Sequence, residues 1–205
     1  MTSLVVVSAG LSNPSSTRLL ADRLTAAAVE ALGDVEVTHV ELRDLAHPLT
    51  DQLLTGFPSP ELAAAEAAVA GADGLIVVTP VFSASYSGLF KTFFDVLDGG
   101  ALDGTPVLVA ATAGTARHSL VLEHALRPLF AYLHAVVVPT GVFAATDDFA
   151  GTDLDLRVRR AAGELAALMG HDSRPAAGVG KRRTVADEFA EVTPFEQLLH
   201  QASVA

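Results

Sequence analysis

From residue 4 onward, short unbroken apolar runs alternate with longer segments in which apolar residues recur every three or four positions. The run "LVVVS" (4–8) is continuous and β-branched, the pattern of a strand buried on both faces. From Ser16 to Leu32 the period changes: Leu20, Leu24, Ala27, Ala28 and Ala31 follow helical spacing, and Gly33 ends the segment. "VEVTHVEL" (35–42) alternates as a strand near a sheet edge does. "SPELAAAEAAVAG" (59–71) predicts an Ala-rich helix with Ser59 as N-cap and Pro60 at its first position. "GLIVVTP" (74–80) reads as a buried strand, "SGLFKTFFDVLD" (87–98) as a helix and "PVLVAATAG" (106–114) as a strand running into a loop.

Residues 118–134 predict a helix with Leu122, Leu126, Leu129 and Leu133 on one stripe, kinked where Pro128 removes a backbone donor. "AVVVPTGVF" (135–143) is the fifth strand. "DLDLRVRRAAGELAALMG" (153–170) is the last helix of the domain, capped by Thr152 with Asp155 at its third position. Five strands alternating with five helices predict an α/β domain, an open parallel sheet covered on both faces with right-handed crossovers. Such sheets bind ligands at the carboxyl ends of their strands, where the winding reverses. That rule gathers three loops: 8–17, 79–87 and 112–118.

The expected domain spans 1–170. Residues 171–205 begin with "HDSRPAAGVGKRRTVADE", rich in Gly, Pro and charge, and read as an extended arm. "FAEVTPFEQLLHQ" then returns to apolar content, with Thr193 capping a short helix that must bury against its own domain or a neighbouring subunit, the neighbour being the preferred reading.

Composition narrows the function. The net charge of −11 argues against nucleic acid and against an anionic membrane surface. Cysteine is absent, so disulfides, thiol chemistry and Cys-based metal sites are excluded. "MTSLVVVSAG" lacks the basic region and apolar length of a signal peptide, and no apolar stretch is long enough to span a bilayer, so a cytoplasmic protein is expected. The seven histidines show no metal-ligand spacing such as H-E-x-x-H, and no metal site is expected. G-x-S-x-G, G-x-G-x-x-G and G-x-x-x-x-G-K are all absent. "GVGK" (178–181) lacks a strand before it and reads as linker, and "KRR" (181–183) as a solvated run.

The three loops carry the chemistry. "SAGLSNPSSTRLLA" (8–21) is dense in hydroxyls, with Ser8, Ser12, Ser15, Ser16 and Thr17 where a strand enters a helix. A helix start offers unpaired N–H groups and a partial positive charge, which suits a phosphate monoester. A helix cap in a polar turn is the plainer reading, but one serine suffices for that. In "TPVFSASYSG" (79–88), Pro80 stiffens the strand exit, and Phe82 and Tyr86 offer aromatic surface to a ligand or else belong to the core. Phe90, Phe93 and Phe94, at helical spacing, read as core or subunit contact. "ATAGTARHS" (111–119) is small and polar, and fits equally a close approach to a planar ligand beside Gly114 or an ordinary turn.

On these loops the chain resembles the NADPH-dependent FMN reductases of the flavodoxin-like superfamily, and most closely the flavin reductase partners of two-component monooxygenases of the alkanesulfonate type. "TPVFSASYSGLFKTFFDVLD" is similar to their flavin-ring loop and following helix, and "ALDGTPVLVAATAGTARHSLVLEHALRPLFAYLHA" to their third loop and kinked helix. "PSSTRLLA" matches the phosphate loop more loosely. The tail ending "VTPFEQLL" resembles an actinobacterial subgroup.

The resemblance implies a flavodoxin-like three-layer sandwich with a five-stranded parallel sheet in the order 2-1-3-4-5. It implies FMN and NADPH (or NADH) as cofactors, with hydride passing directly between them and no catalytic side chain. The cofactor-binding residues it implies are Ser8, Ser15, Ser16, Thr17 and Arg18 in the first loop, and Pro80, Val81, Phe82, Ser83 and Tyr86 in the second. In the third they are Thr112, Ala113, Gly114, Thr115 and His118. Many relatives carry an Arg near Leu11–Ser12; here Arg18 is the expected substitute. Tyr86 matches a tyrosine that accompanies a π-helical insertion in alkanesulfonate-type relatives, linked there to release of reduced flavin. A homodimer or homotetramer and a partner monooxygenase follow by the same resemblance. An FMN-holding quinone, azo or chromate reductase and a flavodoxin-type electron carrier are the alternatives.

Overall fold

Side chains alternate along a strand, so each buried strand supplies two cores. The computed structural model describes residues 2–170; the expected arm and terminal helix of residues 171–205 lie outside them. The strands are β1 (Thr2–Ser8), β2 (Val35–Glu41), β3 (Gly74–Phe82), β4 (Ser85–Tyr86), β5 (Pro106–Ala113), β6 (Val136–Val137) and β7 (Val142–Ala145). The helices are α1 (Ser16–Leu32), α2 (Ala46–Thr55), α3 (Pro60–Ala70), α4 (Gly88–Val96), α5 (Arg127–Tyr132) and α6 (Asp153–Leu168). Val5, Val7, Leu75, Val77, Val107 and Val109 face one core, which α2 to α5 cover. Leu4, Val6, Ile76, Val78, Leu108 and Ala110 face the other, covered by α1 and α6. These are the three layers the pattern predicts.

The sheet order is β2-β1-β3-β5-β6, all parallel, with β7 continuing beside β5 and β4 pairing antiparallel with β3. The main strands therefore follow the expected order, but the expected single fifth strand (135–143) is two pieces. Val107 lies opposite Val137, whereas Ala110 lies opposite Val142, so the broken strand carries extra residues at Pro139. Proline cannot donate to a ladder. The bulge is held from both sides. Arg127 donates to the carbonyls of Val138 (3.0 Å) and Pro139 (2.6 Å), and the amide and hydroxyl of Thr140 donate to Glu164 on α6 (2.6 and 2.8 Å).

Local signals act as expected at several ends. Ser59 accepts from the Leu62 amide at 3.3 Å with Pro60 following it, and Gly33 ends α1 at φ 77°. Thr152 precedes α6 but its hydroxyl makes no capping bond, correcting the expected cap. The helix α2 was not expected. Its N-cap position is Leu45, which offers no side-chain acceptor, and Pro48 falls in its first turn, where a missing N–H costs nothing.

The segment expected as one kinked helix (118–134) is a 3₁₀ turn (Ala116–His118), a π turn (Leu122–Leu126) and then α5. The Arg127 amide bonds the Leu122 carbonyl, five residues back. Pro128 cannot donate to the turn before it, and the helix widens there rather than bending at a point. The buried stripe shifts accordingly, to Leu122, Leu126 and Phe130, while Leu129 and Leu133 are only partly covered. The π turn expected beside Tyr86 is thus at Leu122–Leu126. Tyr86 lies in β4, and α4 after it is a regular α-helix.

Candidate functional site

The connections from β1 and β3 leave toward opposite sides of the sheet, the winding reversal at whose carboxyl ends open parallel sheets bind ligands. The loop after β1 enters α1 there. Gly10 leaves room for the cap: a Cβ on it would stand 2.2 Å from the Ser15 hydroxyl and force that side chain to shift. Ser15 caps α1, accepting from the Arg18 amide at 3.2 Å, while its carbonyl accepts from Leu19 at 3.0 Å. The amides of Gly10, Leu11, Ser12, Ser16 and Thr17 have no protein acceptor among the described residues. No acidic residue lies in the first turn of α1, a helix of 17 residues. Free amides at the start of a long helix fit an anion.

Three residues of this loop are buried or already paired. Ser8 is fully buried and its hydroxyl has no partner. Thr17, also buried, shares a 2.8 Å hydrogen bond with the hydroxyl of Thr112 at the end of β5. Arg18 is paired with Asp22 (2.7 Å) and with Glu41, the last residue of β2. The Asp22 hydrogen bond, with Glu41 beside it, raises the guanidinium's pKa above its ordinary value. Ser15 is half-buried and Ser16 exposed at the helix start.

The second loop is a hairpin. β3 runs on through Pro80 and Val81 to Phe82, turns at Ser83 and Ala84, and returns as β4, with Val81 opposite Tyr86 and Phe82 opposite Ser85. Ser83 and Ala84 have φ of 48° and 68°. A two-residue hairpin turn of type I′ needs positive φ at both positions, normally supplied by Asn or Gly. Thr79 pins the base. Its hydroxyl donates to the Pro80 carbonyl (3.0 Å) and accepts from the buried Ser87 amide (3.0 Å), while Ser87 caps α4 through the Phe90 amide (3.2 Å). The two aromatics divide. Phe82 stands 47% exposed at the hairpin tip, whereas Tyr86 packs inward, its ring 5.9 Å from that of Phe90. Phe90 in turn meets Phe94 and Phe130, so the hairpin rests on an aromatic cluster joining α4 and α5.

The third loop leaves β5 at Ala113. Gly114, Thr115 and His118 are exposed, and a Cβ on Gly114 would meet nothing within 4 Å. Thr115 precedes the 3₁₀ turn without capping it. The fold therefore brings all three loops to one edge and ties the first to the third through Thr17 and Thr112. Sequence reasoning missed Thr79, whose position before a strand-end proline was the available sign, and Gly10, whose need is visible only once Ser15 folds back.

The model of the NADPH-dependent FMN reductase family matches residues 2–150. The chain belongs to this family. It is 42% identical over 172 residues to an FMN reductase (NADPH) of Pseudomonas aeruginosa, a match covering 82% of this chain and 92% of that one. It is 42% identical over 177 residues to the NADH-dependent FMN reductase SfnF of Pseudomonas fluorescens, covering 84% and 94%. Among solved structures, an oxidoreductase from Corynebacterium diphtheriae superposes with a TM-score of 0.81 at 52% identity, covering 83% of this chain and 97% of that one. The fold is flavodoxin-like, and the protein is an NAD(P)H:FMN oxidoreductase.

Proposed function

We propose that FMN lies across the carboxyl edge with its phosphate on the first turn of α1 and its ring between the β3–β4 hairpin and the loop after β5. The observation that carries this placement is the pair of unpartnered amides, Ser16 and Thr17, at the start of a helix with no acid in its first turn. Ser15 and Ser16 add hydroxyls to the phosphate. Pro80, Val81, Phe82, Ser83 and Tyr86 form one wall of the ring site, and Ala113, Gly114, Thr115 and His118 the other. Ser8, Thr17 and Thr112 are buried and support the loops from beneath, and Arg18, already paired with two carboxylates, is a weak candidate for the missing phosphate arginine. When bound, FMN supplies the redox chemistry, accepting the hydride of NAD(P)H. The chain's part is to orient the two partners face to face, and no acid–base side chain is required for it.

The same reading has reduced FMN leave for a flavin-dependent monooxygenase in the cytoplasm. No helix among the described residues is long and apolar enough to cross a membrane. A second copy of the chain packs over α4 and α5. Between their ends, at the edge opposite the loops, lies a groove of about 770 Å³ lined by Phe94, Leu97, Leu129, Tyr132 and Leu133, with Tyr132 82% exposed. The deciding experiment is initial-rate NADPH and NADH oxidation with FMN varied. Sequential kinetics with free FMN as a saturable substrate support the reading. Ping-pong kinetics with tightly held FMN and a second acceptor contradict the release of flavin.

A further inference from the structure

The relatives include enzymes named for NADPH and for NADH, so membership of the family leaves the nucleotide open. The two differ by one phosphate on the adenosine ribose, and selecting it takes a cation not already neutralised. Arg18, Arg23, Lys91, Arg127, Arg157 and Arg160 are all engaged with carboxylates. Arg43, Arg117 and Arg159 have no ion-pair partner among the described residues, and Arg159 lies mid-way along α6, away from the loops.

The remaining two stand at the carboxyl edge on opposite flanks. Arg43 follows β2, separated from β3 by β1. Arg117 follows β5, the direct neighbour of β3, on the exposed turn Ala116–His118. Resting on the flavin placement above, we propose that the nicotinamide stacks on the flavin ring beside the β3–β4 hairpin with its adenosine end over the β5 flank of this rim, where Arg117 binds the 2′-phosphate of NADPH and gives the enzyme its preference for NADPH over NADH. A planar guanidinium suits a phosphate monoester bidentately, and in a chain of net charge −11 an unpaired cation at the rim counters the repulsion that the added phosphate meets.

The test compares wild type with Arg117→Gln, Arg117→Lys and Arg43→Gln. Arg117 is exposed and unpaired, so its replacement leaves folding intact. The expected result is a fall of about tenfold in the ratio of kcat/KM for NADPH to that for NADH in Arg117→Gln, as loss of one exposed phosphate contact implies. Arg117→Lys retains part of the ratio, and Arg43→Gln keeps the wild-type ratio. Calorimetric titration with 2′,5′-ADP and with 5′-ADP supplies a readout independent of turnover: Arg117→Gln loses affinity for the first and not for the second. An unchanged ratio in Arg117→Gln, an equal loss toward both nucleotides, or a larger effect at Arg43 overturns the assignment. Wild-type protein that oxidises neither nucleotide with FMN present contradicts the proposed function itself, a distinct outcome.

Discussion

The hydroxyls of Thr17 and Thr112 lie 2.8 Å apart, each buried to within 2% of full coverage, and join two loops separated by 95 residues. One donates and the other accepts, so neither is left without a partner away from water. Thr112→Val breaks the bond and strands the Thr17 hydroxyl, which costs about 1–3 kcal/mol. Thr17→Val with Thr112→Val removes both groups and recovers part of that loss. Urea unfolding of the single and double variants measures the coupling. Additive losses would show that the two hydroxyls do not act together.

Thr79 is predicted to be the anchor of the hairpin. Thr79→Val deprives the buried Ser87 amide of its acceptor and destabilises the protein by about 1–3 kcal/mol, whereas Thr79→Ser keeps the oxygen and most of the stability. Faster hydrogen exchange at Ser87 and at the Val81–Tyr86 pair in the valine variant alone checks the mechanism. Equal loss in both variants would assign the effect to the methyl group and its packing.

The β3–β4 turn holds two non-glycine residues at positive φ, at a cost of about 1–2 kcal/mol for each ordinary residue so placed. Ser83→Asn with Ala84→Gly supplies the residues that such a turn favours, and a gain of about 1 kcal/mol in thermal stability is expected. No gain would mean that the strained backbone is offset by contacts of the Ser83 or Ala84 side chains.

The strands and most helices were legible because burial on both faces leaves continuous β-branched runs, and because Ser59-Pro60 and Gly33 mark helix ends by local chemistry. The helix α2 was hidden by its capless start at Leu45 and by Gln52, a polar residue in its buried stripe. The hairpin was hidden because Ser83-Ala84 carries no Gly or Asn sign, and the π turn because only the extra carbonyl span before Pro128 distinguishes it from a kink. At the site, the loops were legible and the roles within them less so. Thr17 and Thr112 look in sequence like ligand contacts, yet each hydroxyl is satisfied by the other, a pairing that no local pattern reveals. Arg18 shows the same limit, since its partner Glu41 belongs to another strand.

Gly10→Ala is predicted to distort the β1–α1 loop proposed to hold the phosphate, because its Cβ would stand 2.2 Å from the Ser15 hydroxyl that caps α1. Weaker FMN binding is expected from it, with the core of the fold intact by circular dichroism. Ala at residue 114 is the control: nothing lies within 4 Å of a Cβ there, and Gly114→Ala should be tolerated as a fold.

The placement of the FMN phosphate on α1 is tested most directly by fluorescence titration of FMN and riboflavin into wild type and Ser16→Ala. The two flavins share the ring and differ in the phosphate. Ser16→Ala is predicted to weaken FMN by about tenfold or more, as loss of one charge-assisted hydrogen bond implies, and to leave riboflavin nearly unchanged. Equal weakening of both flavins, or of neither, would contradict the placement of the phosphate at the start of α1.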